Sequence, residues 1–178
     1  MPHPLDLFRH CPHCGSGEFA INDDRSKRCA RCGFVYYHNA SAANVALIRN
    51  GRGELLVVRR GREPQKGWLD LPGGFCDLEE TAEEGVRREV MEETGLRVRE
   101  VRYLLSRPNT YAYGGFTVHT LDLFFACEVD GDAEPRAMDD AAEVMWMRPE
   151  ELHIGDFAFE STRTGLREIL KNTPIYKV

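Results

Sequence analysis

The sequence predicts an α+β chain: a mixed sheet sandwiched by helices, preceded by a small unit held together by a metal. Three observations lead there. Two Cys-x-x-Cys pairs stand near the start of the 178 residues. Short apolar β-rich runs then mix with helical segments without regular βαβ alternation. One of those segments, around residues 79–93, crowds acids behind a Pro-Gly-Gly turn.

The first unit spans residues 1–38. Cys11-Pro-His-Cys14 and Cys29-Ala-Arg-Cys32 are separated by fourteen residues, a spacing that reads as a tetrahedral zinc site with two thiolates from each knuckle. Gly15 and Gly33 follow the second cysteine of each pair, where a tight knuckle needs a permissive backbone. His13 lies inside the first knuckle and is a substitute ligand, but four cysteines already complete the shell. A unit this short does not fold comfortably on core burial alone, so structural Zn²⁺ is expected to hold it. Cys76 and Cys127 have no such partners and read as small buried hydrophobes.

The second unit spans residues 39–178. "NVALIRN" and "ELLVVRR" are β-rich runs joined by Gly51-Arg52-Gly53, a predicted hairpin. "REPQKGWLDLPGG" reads as loop. Helical composition follows over 79–93, with Ala82, Val86 and Val90 at i+4 as the core stripe and Gly95 as C-cap. Strands are predicted at 98–106 and 116–129, with Pro108, Asn109, Gly114 and Gly115 marking a loop between them. "EVMWM" is a short strand before "RPEEL", a brief helix with proline near its start. The last helix is predicted from Ser161 to Lys171.

Apolar content of 42% with 29% charged residues is globular composition, and the net charge of −6 argues against a nucleic-acid wrapper. An acidic protein still binds phosphates when a divalent cation supplies positive charge. No apolar run reaches the eighteen or more residues of a membrane span, and Met1-Pro-His-Pro begins no signal peptide; the expected compartment is the cytoplasm.

On the acidic helix, Glu89, Glu92 and Glu93 stand at i, i+3 and i+4 and share one face. Such a cluster repels itself unless neutralised, and a hard oxygen-seeking cation, Mg²⁺ or Mn²⁺, would do that. Glu80, Glu84 and Arg88 read as a second i, i+4 ladder, in which Arg88 orients a carboxylate.

Taken with its gaps, the segment runs Gly74, five residues, Glu80, seven residues, Arg88-Glu89-Val90, one residue, Glu92-Glu93, one residue, Gly95-Leu96. It resembles the Nudix box with every position filled, a coincidence expected about once in 10⁹ starting points. The resemblance begins upstream at "GWLDLPGG" and covers essentially the whole second unit. It implies a Nudix α/β/α sandwich with a mixed sheet. It further implies hydrolysis of a nucleoside diphosphate linked to another moiety, by water attack on phosphorus.

By position, the resemblance makes Glu89, Glu92, Glu93 and the Gly74 carbonyl the Mg²⁺ ligands, and Glu80 and Arg88 the pair that braces the helix. The base that takes the water's proton is Glu89 or Glu143, the latter because some members carry an acid in the loop before this strand.

A zinc ribbon ahead of such a domain resembles the NADH pyrophosphatase and ADP-ribose pyrophosphatase group. That group's Ser-Gln-Pro-Trp-Pro-Phe-Pro signature corresponds here to Ser106-Arg107-Pro108-Asn109-Thr110-Tyr111, where only the serine and first proline match. ADP-ribose, NADH and nucleotide sugars all stay open as substrates. Tyr111, Tyr113 and Phe116 are the candidates for stacking a base. The ribbon has three roles open to it: a brace, a homodimer contact, or a nucleic-acid reader through Arg25, Lys27, Arg28 and Arg31. Two rival functions stand beside the small-molecule enzyme, a non-catalytic nucleotide-sugar sensor and action on capped RNA ends.

Overall fold

A computed structural model of the chain describes residues 3–130 and 134–172. The first three strands form an antiparallel sheet in the order β1 (Phe19–Asp23), β2 (Ser26–Cys29), β3 (Val35–Tyr37). Each knuckle closes as its glycine amide donates back to the first cysteine's carbonyl, Gly15 to Cys11 at 2.8 Å and Gly33 to Cys29 at 2.9 Å. Both glycines lie in the left-handed region, with φ of 72° and 77°. Among the described residues, the buried apolar cluster of this sheet is Cys11, Phe19 and Cys29.

After residues 38–40, β4 (Ser41–Ile48) runs parallel to β8 (Phe116–Val129), which pairs antiparallel with β7 (Val98–Tyr113). A second sheet is ordered β6 (Leu69–Asp70), β5 (Leu55–Arg60), β9 (Ala141–Met147). Alternate residues of the central strands feed two cores. Val45, Leu47, Leu55, Val57 and Phe124 pack with Leu166 and Ile169 of helix α2 (Glu160–Asn172). Ala46, Ile48, Leu56 and Phe125 pack with Val86 and Val90 of helix α1 (Ala82–Thr94). The result is helix, strands, helix in three layers, as the predicted fold class requires.

The expected hairpin of residues 44–60 is corrected. Its turn does close, with the Asn50 amide donating to the Glu54 carbonyl at 3.1 Å. Beyond the single bridge Arg49–Leu55, however, β4 and β5 part into different sheets. Both strands are apolar on both faces, so each needs a layer above and below it, which a two-stranded hairpin does not supply.

The loop predicted around Pro108 is also corrected. The β7–β8 ladder continues through Pro108–Leu121 to Tyr113–Phe116, and only Gly114 and Gly115 turn. Proline is accommodated because β7 is an edge of its sheet. "RPEEL" forms only one 3₁₀ turn, Pro149–Glu151.

Candidate active site

The segment Pro72–Cys76 docks along the free edge of β4. The Ala46 amide donates to the Pro72 carbonyl at 2.8 Å, the Asn44 amide to Gly74 at 2.7 Å, and the Cys76 amide to Ala42 at 3.1 Å. Helix α1 follows. Thr81 caps it, accepting from the Glu84 amide at 3.2 Å, while Glu84 Oε2 accepts from the Thr81 amide at 2.9 Å. Glu84 is thus occupied by the cap and Glu80 precedes the helix, so the expected Glu80–Glu84–Arg88 ladder does not form. Gly95 ends the helix in the left-handed region, its amide donating to Met91 at 2.9 Å.

Arg88 gathers the acids instead. Its Nε and Nη2 donate to Glu80 Oε1 and Oε2 at 2.9 and 3.0 Å. Its Nη1 donates to Glu89 Oε1 at 2.8 Å and Glu92 Oε2 at 3.0 Å, and Nη2 also reaches the Phe75 carbonyl at 2.9 Å. The planar guanidinium can serve so many acceptors because its donors point outward in a fixed fork. It answers the repulsion within the acidic cluster from inside the chain.

Glu93 is the buried member. Its Oε2 accepts from the Gly73 amide at 3.0 Å, and burial pushes its carboxyl up to about 8. Burial also raises Glu89, against the pull of Arg88. The Glu89 carboxylate lies against Gly74 so closely that a Cβ there would meet it at 2.6 Å. The missing side chain leaves room for the Glu89 carboxylate, and Glu89, Glu92 and Glu93 line the same cleft as Gly73 and Gly74. Oxygen-only donors fit a hard divalent cation. The Gly74 carbonyl already accepts one hydrogen bond from Asn44 and keeps a second lone pair.

These residues line one part of a cleft of about 370 Å³. Tyr111 and Tyr113 also line it, and Tyr111 packs against Phe75 and Phe159 with ring centroids 6.0 and 5.8 Å apart. Two candidates lie elsewhere. Phe116 packs edge-on to Phe8 and to His38, each at 5.6 Å, joining β8 to the first unit. Glu143 stands within β9 rather than in a loop before it. There it faces Arg59 across the ladder and pairs with its Nε at 2.8 Å, outside the cleft lining.

The cleft also holds acids that sequence reasoning missed: Asp70, Asp77, Asp122, Asp139 and Asp140. Asp122 carried a readable signal, since "LDLFF" sets an acid at an inward position of an apolar strand, where charge is rarely buried without purpose. Burial raises Asp70 to about 6 and raises Asp122 as well. Asp139 and Asp140 sit in an irregular stretch whose course only the folded chain defines.

In the first unit, the Sγ atoms of Cys11, Cys14, Cys29 and Cys32 lie within 4.8 Å of one another. Cys11 to Cys32 and Cys14 to Cys29 are each 3.7 Å apart. A tetrahedron of sulfurs about 2.3 Å from zinc has edges of roughly 3.8 Å, so the cluster fits that ion. Hydrogen bonding from the Cys32 backbone amide helps lower the Cys29 thiol, while burial and the hydrogen bonds among the other thiols raise that of Cys32, so the clustered sulfurs hold their protons unequally. His13 is turned away, stacked on Phe34 at 5.6 Å.

A NUDIX domain profile matches residues 38–171. Among curated proteins, the chain is 34% identical to the NAD-capped RNA hydrolase NudC of Deinococcus radiodurans over 164 residues, 90% of this chain and 56% of that protein. It is 36% identical to the protein of the same name from Chromobacterium violaceum over 129 residues, 72% of this chain and 46% of that one. The chain therefore spans about half the length of these relatives. A MutT-like protein of Streptomyces ambofaciens is 40% identical over 115 residues, 65% of this chain and 67% of that protein. Among solved structures, a MutT NUDIX hydrolase from Burkholderia pseudomallei superposes with a TM-score of 0.64 at 25% identity, covering 74% of this chain and 99% of its own. A NUDIX hydrolase from Nitrosomonas europaea gives 0.68 at 21% identity, covering 93% and 94%, a likeness of fold.

Proposed function

This chain belongs to the NUDIX family, and we propose that it hydrolyses the diphosphate bridge of a nucleoside diphosphate linked to a second moiety, with a divalent cation, releasing a mononucleotide. One observation carries the reading: Glu89, Glu92 and Glu93 face a single cleft beside a glycine whose bare Cα makes room for a carboxylate.

In this reading Glu89, Glu92, Glu93 and a carbonyl of the Gly73–Gly74 turn hold Mg²⁺ or Mn²⁺. The bound cation would neutralise charge on the phosphoryl oxygens and lower the pKa of the attacking water. Arg88 positions Glu89 and Glu92 and ties the helix to Glu80. Glu89 is the base that takes the water's proton; its raised affinity for a proton suits the task. Glu143, paired with Arg59 outside the cleft, has no part in it. Tyr111 and Tyr113 offer ring faces to the base.

Residues 1–38 form a zinc ribbon in this reading and residues 39–178 the hydrolase domain. The ribbon acts as a brace, since Phe116 of the hydrolase domain packs against Phe8. The names of the relatives favour a second reading, in which the mononucleotide cut away is a cap on an RNA end.

The test is a panel of ADP-ribose, NADH, nucleotide sugars and NAD-capped RNA incubated with Mg²⁺ in ¹⁸O water. Mononucleotide product carrying ¹⁸O, absent with chelator, is the expected result. Absence of any product across the panel with Mg²⁺ and with Mn²⁺ would leave a binding protein instead.

A further inference from the structure

One wall of the cleft is built from β6, β8 and the start of α2, and its hydroxyl protons all point into the protein. Thr120 Oγ1 donates to Asp122 Oδ1 at 2.5 Å, and Ser161 Oγ donates to Asp122 Oδ2 at 2.5 Å. Thr162 Oγ1 donates to Asp70 Oδ1 at 3.1 Å. An ionised carboxylate only accepts, so each hydroxyl's one proton is committed and its oxygen keeps lone pairs. Asn109 lines the same cleft.

Thr120, Thr162, Asp70 and Asp122 are each more than nine-tenths buried and all line the cleft. Arg60 is the one cationic side chain among the described residues of the lining. Its Nε donates to the Pro64 carbonyl at 2.9 Å, its Nη1 reaches Asp70 Oδ2 at 3.4 Å, and its guanidinium covers the Phe159 ring at 4.8 Å. The wall therefore presents acceptors, and it repels phosphate. Beside it stand the tilted rings of Tyr111 and Phe159, both in the lining of the cleft. A network needed only to tie α2 to the sheet could be apolar, and buried polar groups are costly.

We propose that this acceptor-rich wall and its neighbouring rings form a subsite for a planar heterocycle bearing an NH₂ group, the amine of a purine or a ring carboxamide. The subsite rests on the reading of the cleft as the place of hydrolysis. An NH₂ group supplies two donors to oxygens that lack them. A carbonyl or carboxylate in its place would set lone pair against lone pair.

The experiment compares ADP-ribose with its inosine counterpart, and NADH with deamido-NADH, which separates the two sources of NH₂. Turnover and equilibrium binding by calorimetry are both recorded. In at least one pair the deaminated member is expected to lose about tenfold or more in kcat/KM and in affinity. Thr162→Val and Thr120→Val should shrink that ratio, and Thr162→Ser should restore it. Both pairs binding within about twofold in the unaltered protein overturns the subsite, as do valine variants that weaken both members of a pair equally. Loss of turnover on every substrate overturns the hydrolytic reading alone, since binding still reports on the wall.

Discussion

Arg88 and Glu80 are joined by two parallel hydrogen bonds, Nε to Oε1 at 2.9 Å and Nη2 to Oε2 at 3.0 Å, across the start of α1. The bidentate contact ties the loop before the helix to its middle, and it leaves Nη1 free to hold Glu89 and Glu92. Glu80→Gln should break the fork and let Arg88 swing. The expected outcome is a lower midpoint in urea denaturation and at least a tenfold fall in turnover. A fall in stability with unchanged turnover would make the pair a brace alone.

Glu92 is the half-exposed member of the acidic trio, bonded only to Arg88 among the described contacts. Glu92→Gln should leave the circular dichroism spectrum and melting temperature nearly unchanged while turnover drops by about a hundredfold or more. Titration with Mn²⁺ followed by water proton relaxation should show weaker binding. Undiminished turnover would remove Glu92 from the site.

Asp70 rises from 3.8 to about 6 and Glu93 from 4.5 to about 8, both through burial. Their folded pKa values exceed their unfolded ones, so folding takes up protons in the window between. Stability from these groups is fully present below about 4 and is lost as pH climbs towards about 8. With chelator, the urea midpoint should therefore fall between pH 5 and 8. Adding Mg²⁺ at pH 8 should recover it, because cation and proton compete for Glu93. Glu93→Gln should flatten the upper part of that profile.

The four cysteines predict about one zinc per chain by elemental analysis. Cys29→Ser should release the metal and expose residues 3–37 to limited proteolysis, since among the described residues the sheet's buried cluster is just Cys11, Phe19 and Cys29. Retained zinc in that variant would count against the tetrahedral assignment.

Phe116→Ala should loosen the first unit from β8, because Phe116 contacts both Phe8 and His38. Hydrogen exchange in residues 3–37 should rise, while turnover of a small substrate stays within about twofold. A large rise in KM instead would return Phe116 to the substrate.

Local chemistry made much of this protein readable. The knuckles, the capped helix α1 with its stripe of Val86 and Val90, and the Gly95 stop depend on neighbours within a few residues, so spacing alone specified them. The acidic face followed from the helical period for the same reason. What required the tertiary structure was every choice between distant partners. β4 left its hairpin for β8 because strands apolar on both faces need cover on both, and β7 ran through Pro108 because it lies at an edge. Glu143 turned to Arg59, Phe116 to Phe8, and Asp70 and Asp122 entered the cleft wall with hydroxyls from α2. A side chain's partner across the fold depends on how layers stack, and no periodicity within one segment encodes that.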